Sequence, residues 1–155
     1  MTKSNKYRTS YSKTLSTSEE ETIFSKFKYR LQQKGVNLSD CEPFQLQRYL
    51  QGDEYKIHYD AKDVFKKKTS NSLESPQRMS TAILYLNDEY SGGETDFPLK
   101  DIKIRPQVGA LLIFRNCFDG SRALHPLSAH KSCIVTKGNK WIVSIWSSAD
   151  MTSLF

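Results

Sequence analysis

Cysteine is scarce and unpaired in this chain of 155 residues: Cys41, Cys117 and Cys133 are odd in number, far apart and without any C-x-x-C spacing. That excludes a disulfide framework and a zinc ribbon, and leaves reduced, mostly buried thiols as the expected state. Long apolar runs are missing too. No stretch approaches the ~20 residues a bilayer-crossing helix needs. The N-terminus "MTKSNKYRTSYSK" also lacks the hydrophobic segment of a secretory signal. A cytoplasmic protein with no membrane partner is therefore expected. Acidic residues are the minority charge, 17 against 23 basic ones, giving a formal +6. Such an excess favours acidic or nucleic-acid partners only when it is concentrated. Here it is spread out, and the one dense run, Lys66, Lys67 and Lys68, reads as a solvated loop. With 37% hydrophobic and 26% charged residues, the chain is an ordinary globular one, read as a single domain over residues 1–155.

The pattern along the chain predicts one helix and then many short strands. Ser18 and Glu21 have capping-box spacing, Ile23, Phe24, Phe27 and Leu31 recur at helical spacing, and Gly35 supplies a stop. Strand-like runs follow at residues 44–50, 55–59, 81–87, 102–105, 109–114, 133–136 and 141–146, with Gly, Pro, Asn or Asp in the gaps. A lone helix before many short strands suggests a sandwich, barrel or jelly roll with the helix packed outside. Residues 61–77, "AKDVFKKKTSNSLESPQ", are polar and lysine-rich and are expected to form a long mobile loop. No internal repeat is found.

The chemistry starts at "YKIHYDA". Residues two apart on a strand share a face, so His58 and Asp60 are expected to present an imidazole and a carboxylate together. The other histidines, His125 and His130, lie far downstream, five residues apart. Two histidines and one carboxylate on one face of a metal leave adjacent positions open, as in non-haem Fe(II) oxygenases; zinc hydrolases use the same groups. An oxygenase fed by 2-oxoglutarate also needs a cation for the distal carboxylate. Lys137 and Lys140 are candidates, and the strand "KWIVSIW" after Lys140 is apolar enough for the core. A buried lysine without an anion is costly.

Six blocks carry a resemblance: "YRTS" (7–10), "EPFQLQRYLQGDEYKIHYD" (42–60), "RMSTAILYLND" (78–88), "GGETDFP" (92–98), "IRPQVGALLIF" (104–114) and "HKSCIVTKGNKWIVSIW" (130–146). In this order they resemble the catalytic domain of prolyl 4-hydroxylases, Fe(II)- and 2-oxoglutarate-dependent dioxygenases. In that family the second histidine precedes the lysine by ten residues. Counting from His130 reaches Lys140, with Val135, Gly138, Trp141 and Trp146 also in place; counting from His125 reaches no lysine.

The resemblance implies a double-stranded β-helix, or jelly-roll, core flanked by an N-terminal helix. It implies His58, Asp60 and His130 as iron ligands, and Lys140, Tyr55 and Thr95 around 2-oxoglutarate. Arg8, Ser10, Glu42, Arg78 and Trp146 would line a peptide groove. The expected reaction is C4 hydroxylation of peptidyl proline with O2 as cosubstrate, ascorbate as reductant, and succinate and CO2 as products. The segment 61–77 would close over the peptide. Departures exist: family domains carry further elements before the "RTS" block, and the family's proline four residues after the second histidine is Ile134 here. A nucleic-acid demethylase of the same superfamily would suit the basic charge, but those enzymes carry arginine where Lys140 stands. A silent peptide-binding module would need a broken triad or a lost lysine. The resemblance assigns no role to His125, and oligomeric state is left open.

Overall fold

A computed structural model describes residues 2–3, 7–62 and 76–155. The twelve strands are β1 (Thr2–Lys3), β2 (Tyr11–Thr14), β3 (Gln45–Tyr49), β4 (Tyr55–His58), β5 (Ser80–Tyr85), β6 (Ser91–Gly92), β7 (Thr95–Phe97), β8 (Ile102–Ile104), β9 (Leu111–Arg115), β10 (His130–Ser132), β11 (Val135–Lys137) and β12 (Lys140–Ser147). A helix, α1 (Thr17–Gln33), falls between β2 and β3. One sheet has six strands in the order β1-β2-β3-β12-β5-β9, a second has four in the order β4-β10-β7-β8, and β11 pairs with β6. All the pairings are antiparallel. This is the expected jelly roll with its flanking helix.

The helix starts two residues earlier than expected. Ser16, not Ser18, is the cap: its hydroxyl accepts from Glu19 N (3.3 Å) while the Glu19 carboxylate accepts from Ser16 N (2.9 Å). The buried stripe shifts accordingly to Glu20, Phe24 and Leu31, with Phe27 half-buried, and Ile23 is left 62% exposed. Glu20 is buried because its carboxylate accepts from Phe44 N (2.7 Å), tying the helix to the entry of β3. Gly35, at φ +89°, ends the helix as expected.

β12 lies at the centre of the large sheet and is buried on both faces, which is why "KWIVSIW" is nearly continuous in apolar residues. Its alternation feeds two cores. Val143 and Ile145 join Ala82 and Leu84 under Phe24 and Leu31 of α1. Ile142 packs with Tyr49, Ile83, Tyr85, Phe97, Phe114 and Val135 between the sheets.

Three readings need correction. The run at 133–136 is not one strand: β10 ends at Ser132 and β11 begins at Val135, because Cys133 N donates to Glu94 O (2.9 Å) while Ile134 O accepts from Gly93 N (3.0 Å), handing the chain between sheets. β2, β6 and β7 are too short or too polar to signal themselves. Asp60 lies in a bend beyond β4, so the shared strand face does not explain its place. Of the expected loop at 61–77, residues 63–75 lie outside the described residues. At its base the buried Gln77 accepts from Lys62 N (2.9 Å) and donates to Lys62 O (2.7 Å) and Arg122 O (3.1 Å).

Candidate functional site

His58 closes β4 and His130 opens β10, and the register of that antiparallel pair sets them directly opposite each other. The bend after β4 brings Asp60 in from the side. Its carboxylate oxygens lie 3.6 Å from His58 Nε2 and 3.6 Å from His130 Nε2, and the three ligand atoms fall within 4.8 Å of one another. Each ring uses its other nitrogen on the backbone: His58 Nδ1 donates to Lys56 O (2.7 Å) and His130 Nδ1 to Ser128 O (2.9 Å). A carbonyl only accepts, so each Nδ1 carries a proton, and each Nε2 is the nitrogen turned toward Asp60.

Burial pushes the His130 pKa down, against the pull of Asp60, so the neutral, ligand-competent ring is favoured. For Asp60 burial would raise the pKa, but the adjoining His58 and His130 rings and the Thr81 hydroxyl (2.8 Å) prevail and hold the carboxyl well below its usual range. The trio is thus one ready anion and two ring nitrogens converging on one point.

A cleft leads from this trio between the sheets to Lys140, whose side chain is completely buried. Its ammonium donates to Gly93 O (2.7 Å) and Ser132 Oγ (2.8 Å) and sits 5.0 Å from the Tyr49 ring and 5.9 Å from the Tyr85 ring. Among the described residues no carboxylate pairs with it. Burial therefore lowers its pKa to about 7. An ammonium has three donors, and the two named acceptors leave one for a ligand. Thr95, also buried and lining the cleft, shares a 2.7 Å hydrogen bond with Tyr85 Oη. Tyr55 lines the cleft beside the trio, its ring stacked on His58 at 3.6 Å.

The expected peptide-groove residues fall into two groups. Arg78 grips Glu42 through two 2.6 Å hydrogen bonds and lies 3.8 Å over the Trp146 ring, so these three form one unit at the cleft, which Trp146 lines. Trp146 Nε1 is buried without an acceptor among the described residues. Arg8 and Ser10 are not on a solvated edge. Ser10 is fully buried and accepts from Arg8 Nε (2.9 Å), while Arg8 reaches Gln45 Oε1 (3.2 Å) and stacks over Tyr55 (5.2 Å).

Sequence reasoning missed Gln47, Tyr49, Tyr85 and Ser144. Gln47 donates to Ser144 Oγ (2.7 Å) and accepts from Tyr49 Oη (3.0 Å), making a polar wall of the cleft. Strand alternation puts Gln47 with Tyr49, and Lys140 with Ser144, on one face each, but not which strands are neighbours. His125 caps the short turn Pro126–Ser128, its Nδ1 accepting from Leu127 N (3.1 Å), and its ring lies 4.4 Å from that of Phe118, tilted by 37°.

Comparison with known proteins agrees with this geometry. The chain is 36% identical over 115 residues to a putative prolyl 4-hydroxylase of Acanthamoeba polyphaga mimivirus, a match covering 74% of this chain and 48% of that protein. It is 34% identical over 156 residues to probable prolyl 4-hydroxylase 9 of Arabidopsis thaliana, covering 90% and 52%. The chain thus spans about half the length of these curated relatives. Among solved structures, the viral collagen prolyl hydroxylase of Paramecium Bursaria Chlorella virus-1 in its 2OG complex superposes with a TM-score of 0.73 at 28% identity, over 91% of this chain and 79% of that one. A family model matches residues 44–148, a span that holds His58, Asp60, His130 and Lys140. By that match the chain belongs to the 2OG-Fe(II) oxygenase superfamily.

Proposed function

We propose that this chain hydroxylates peptidyl proline at C4, consuming 2-oxoglutarate and O2 and yielding succinate and CO2, with ascorbate keeping the metal reduced. His58, Asp60 and His130 would hold Fe(II), and the donor set fits that ion: two ring nitrogens already turned inward and one carboxylate that stays ionised. Zinc accepts the same donors, but among the described residues no further carboxylate or imidazole lines the cleft beside the trio to serve as a hydrolytic base. Bound iron would supply activation of O2 coupled to oxidative decarboxylation of the cosubstrate.

The observation that carries the reading is Lys140. A completely buried lysine with no carboxylate partner among the described residues, at a pKa of about 7, is stable there chiefly when an anion joins it. The 2-oxoglutarate distal carboxylate suits the free ammonium donor, with Thr95 and Tyr55 lining the same cleft. The protein's own residues bind, orient and exclude water; the apolar packing of Ile83 and Ile142 along the cleft serves the last of these.

The proline assignment rests on the relatives and on the mouth of the cleft. Trp146 offers an aromatic face and an N–H with no acceptor among the described residues, and the Arg78–Glu42 pair braces it. An extended, polyproline-like peptide suits an aromatic and polar groove. The test is incubation with Fe(II), 2-oxoglutarate, ascorbate and proline-rich peptides, read by mass spectrometry and succinate release. A gain of one oxygen on proline is expected. Turnover confined to another residue type would refute the specificity, and absence of succinate with every peptide would favour a silent binding module.

A further inference from the structure

We propose that Asn116 is a positioning residue for the metal site, acting on Asp60 through Thr81; the inference rests on the reading of His58, Asp60 and His130 as metal ligands. Asn116 follows β9 directly, is completely buried, and touches none of the three candidate ligands.

Its side chain makes one directed chain. Asn116 Nδ2 lies 2.7 Å from Thr81 Oγ1, and Thr81 Oγ1 lies 2.8 Å from Asp60 Oδ2. An ionised carboxylate only accepts, so the single hydroxyl proton of Thr81 points at Asp60. The atom facing Thr81 from behind must then be a donor, which fixes the amide with its nitrogen toward Thr81. Deprived of that donor, the hydroxyl is free to turn away. Asp60 would then lose the contact that engages Oδ2 and leaves Oδ1 as its open oxygen.

Its backbone is anchored as well: Asn116 N donates to Met79 O (2.8 Å), and Asn116 O accepts from His125 N (2.9 Å). The Ser128 hydroxyl gives its one proton to His125 O (2.8 Å) rather than to Asn116 O (3.3 Å), so the path from Asn116 runs to Asp60 alone. Partners of this kind typically change metal affinity by about 10–100-fold when removed.

The test is a titration of the metal-free full chain with cobalt(II) chloride, followed by the visible d–d bands, with no cosubstrate present. Asn116→Leu is the main variant: it matches the amide in shape and discards an Oδ1 that has no partner among the described residues. Asn116→Ala serves where near-UV circular dichroism shows that Leu disturbs the core. Asn116→Leu and Thr81→Val should each weaken Co(II) binding by about 10-fold or more. Combined, they should weaken it no more than about twofold beyond Thr81→Val, because both cut one chain. Thr81→Ser, which keeps the hydroxyl, should restore it.

Wild-type affinity in a folded Asn116 variant overturns the proposal, as does full additivity in the double variant. If the wild-type chain binds no Co(II), or His130→Ala binds it equally well, the metal-site reading falls and takes this inference with it. If those controls hold, only the role of Asn116 is at stake.

Discussion

Replacing Lys140 by methionine should impair cosubstrate binding while leaving stability nearly unchanged. In the free protein the lysine is buried beside two neutral acceptors, and its pKa falls from 10.5 to about 7. At 1.36 kcal/mol per unit that drop represents on the order of 5 kcal/mol of destabilisation when the unfolded chain carries the charge. The sign follows from proton counts: between pH 7 and 10.5 the unfolded state binds the extra proton, so stability rises with pH, and the full penalty applies below about pH 7. Methionine removes this penalty but strands Gly93 O and Ser132 Oγ, each costing about 1–3 kcal/mol. The two changes nearly offset, and the melting temperature at neutral pH should move by only a few degrees. Cosubstrate binding should suffer instead. Losing one partner of a buried, hydrogen-bonded charge pair costs about 2–4 kcal/mol, or roughly 30- to 1000-fold in the KM for 2-oxoglutarate. In the wild-type chain that KM should also rise with pH above about 7, by up to about tenfold per unit, as the free lysine loses its proton. Steady-state kinetics over a pH series and thermal melts read both effects. An unchanged KM, or a large loss of stability with KM intact, would refute the reasoning and make Lys140 a structural residue.

His130→Ala should abolish specific Co(II) binding by titration, whereas His125→Ala should retain it and lose about 1 kcal/mol of stability, the usual worth of a turn cap. Arg78→Ala should raise the KM for a proline peptide about tenfold and leave the KM for 2-oxoglutarate within about twofold, because it frees Trp146 and Glu42 without touching Lys140. In thermal melts Ser16→Ala should cost about 1 kcal/mol, while Ser18→Ala should stay within about 0.5 kcal/mol.

The capping result shows where local pattern reached its limit. Both serines stand before a helical stripe with an acid three residues on, and the docking of Glu20 onto Phe44 N rather than intrinsic propensity sets the register. The same docking leaves Ile23 outside and a carboxylate inside, which hydrophobic periodicity alone inverts.

Read on its own the pattern points to one helix before a sandwich, barrel or jelly roll and to an H-x-D pair, and the resemblance to prolyl 4-hydroxylases implies the jelly roll and, through the ten-residue step to Lys140, His130 rather than His125. All of these are read from the order and spacing of motifs along the chain. Only the tertiary structure decided what lies across it. The antiparallel register of β4 and β10 sets His130 opposite His58, a bend rather than a strand delivers Asp60, and β3 and β5 flank β12 so that Tyr49 and Tyr85 close around Lys140. The chain from Asn116 through Thr81 to Asp60 was likewise illegible, since its members are 35 and 21 residues apart in sequence. Strand periodicity fixes which face a side chain takes, whereas strand order, set by packing of the whole domain, fixes whom it meets.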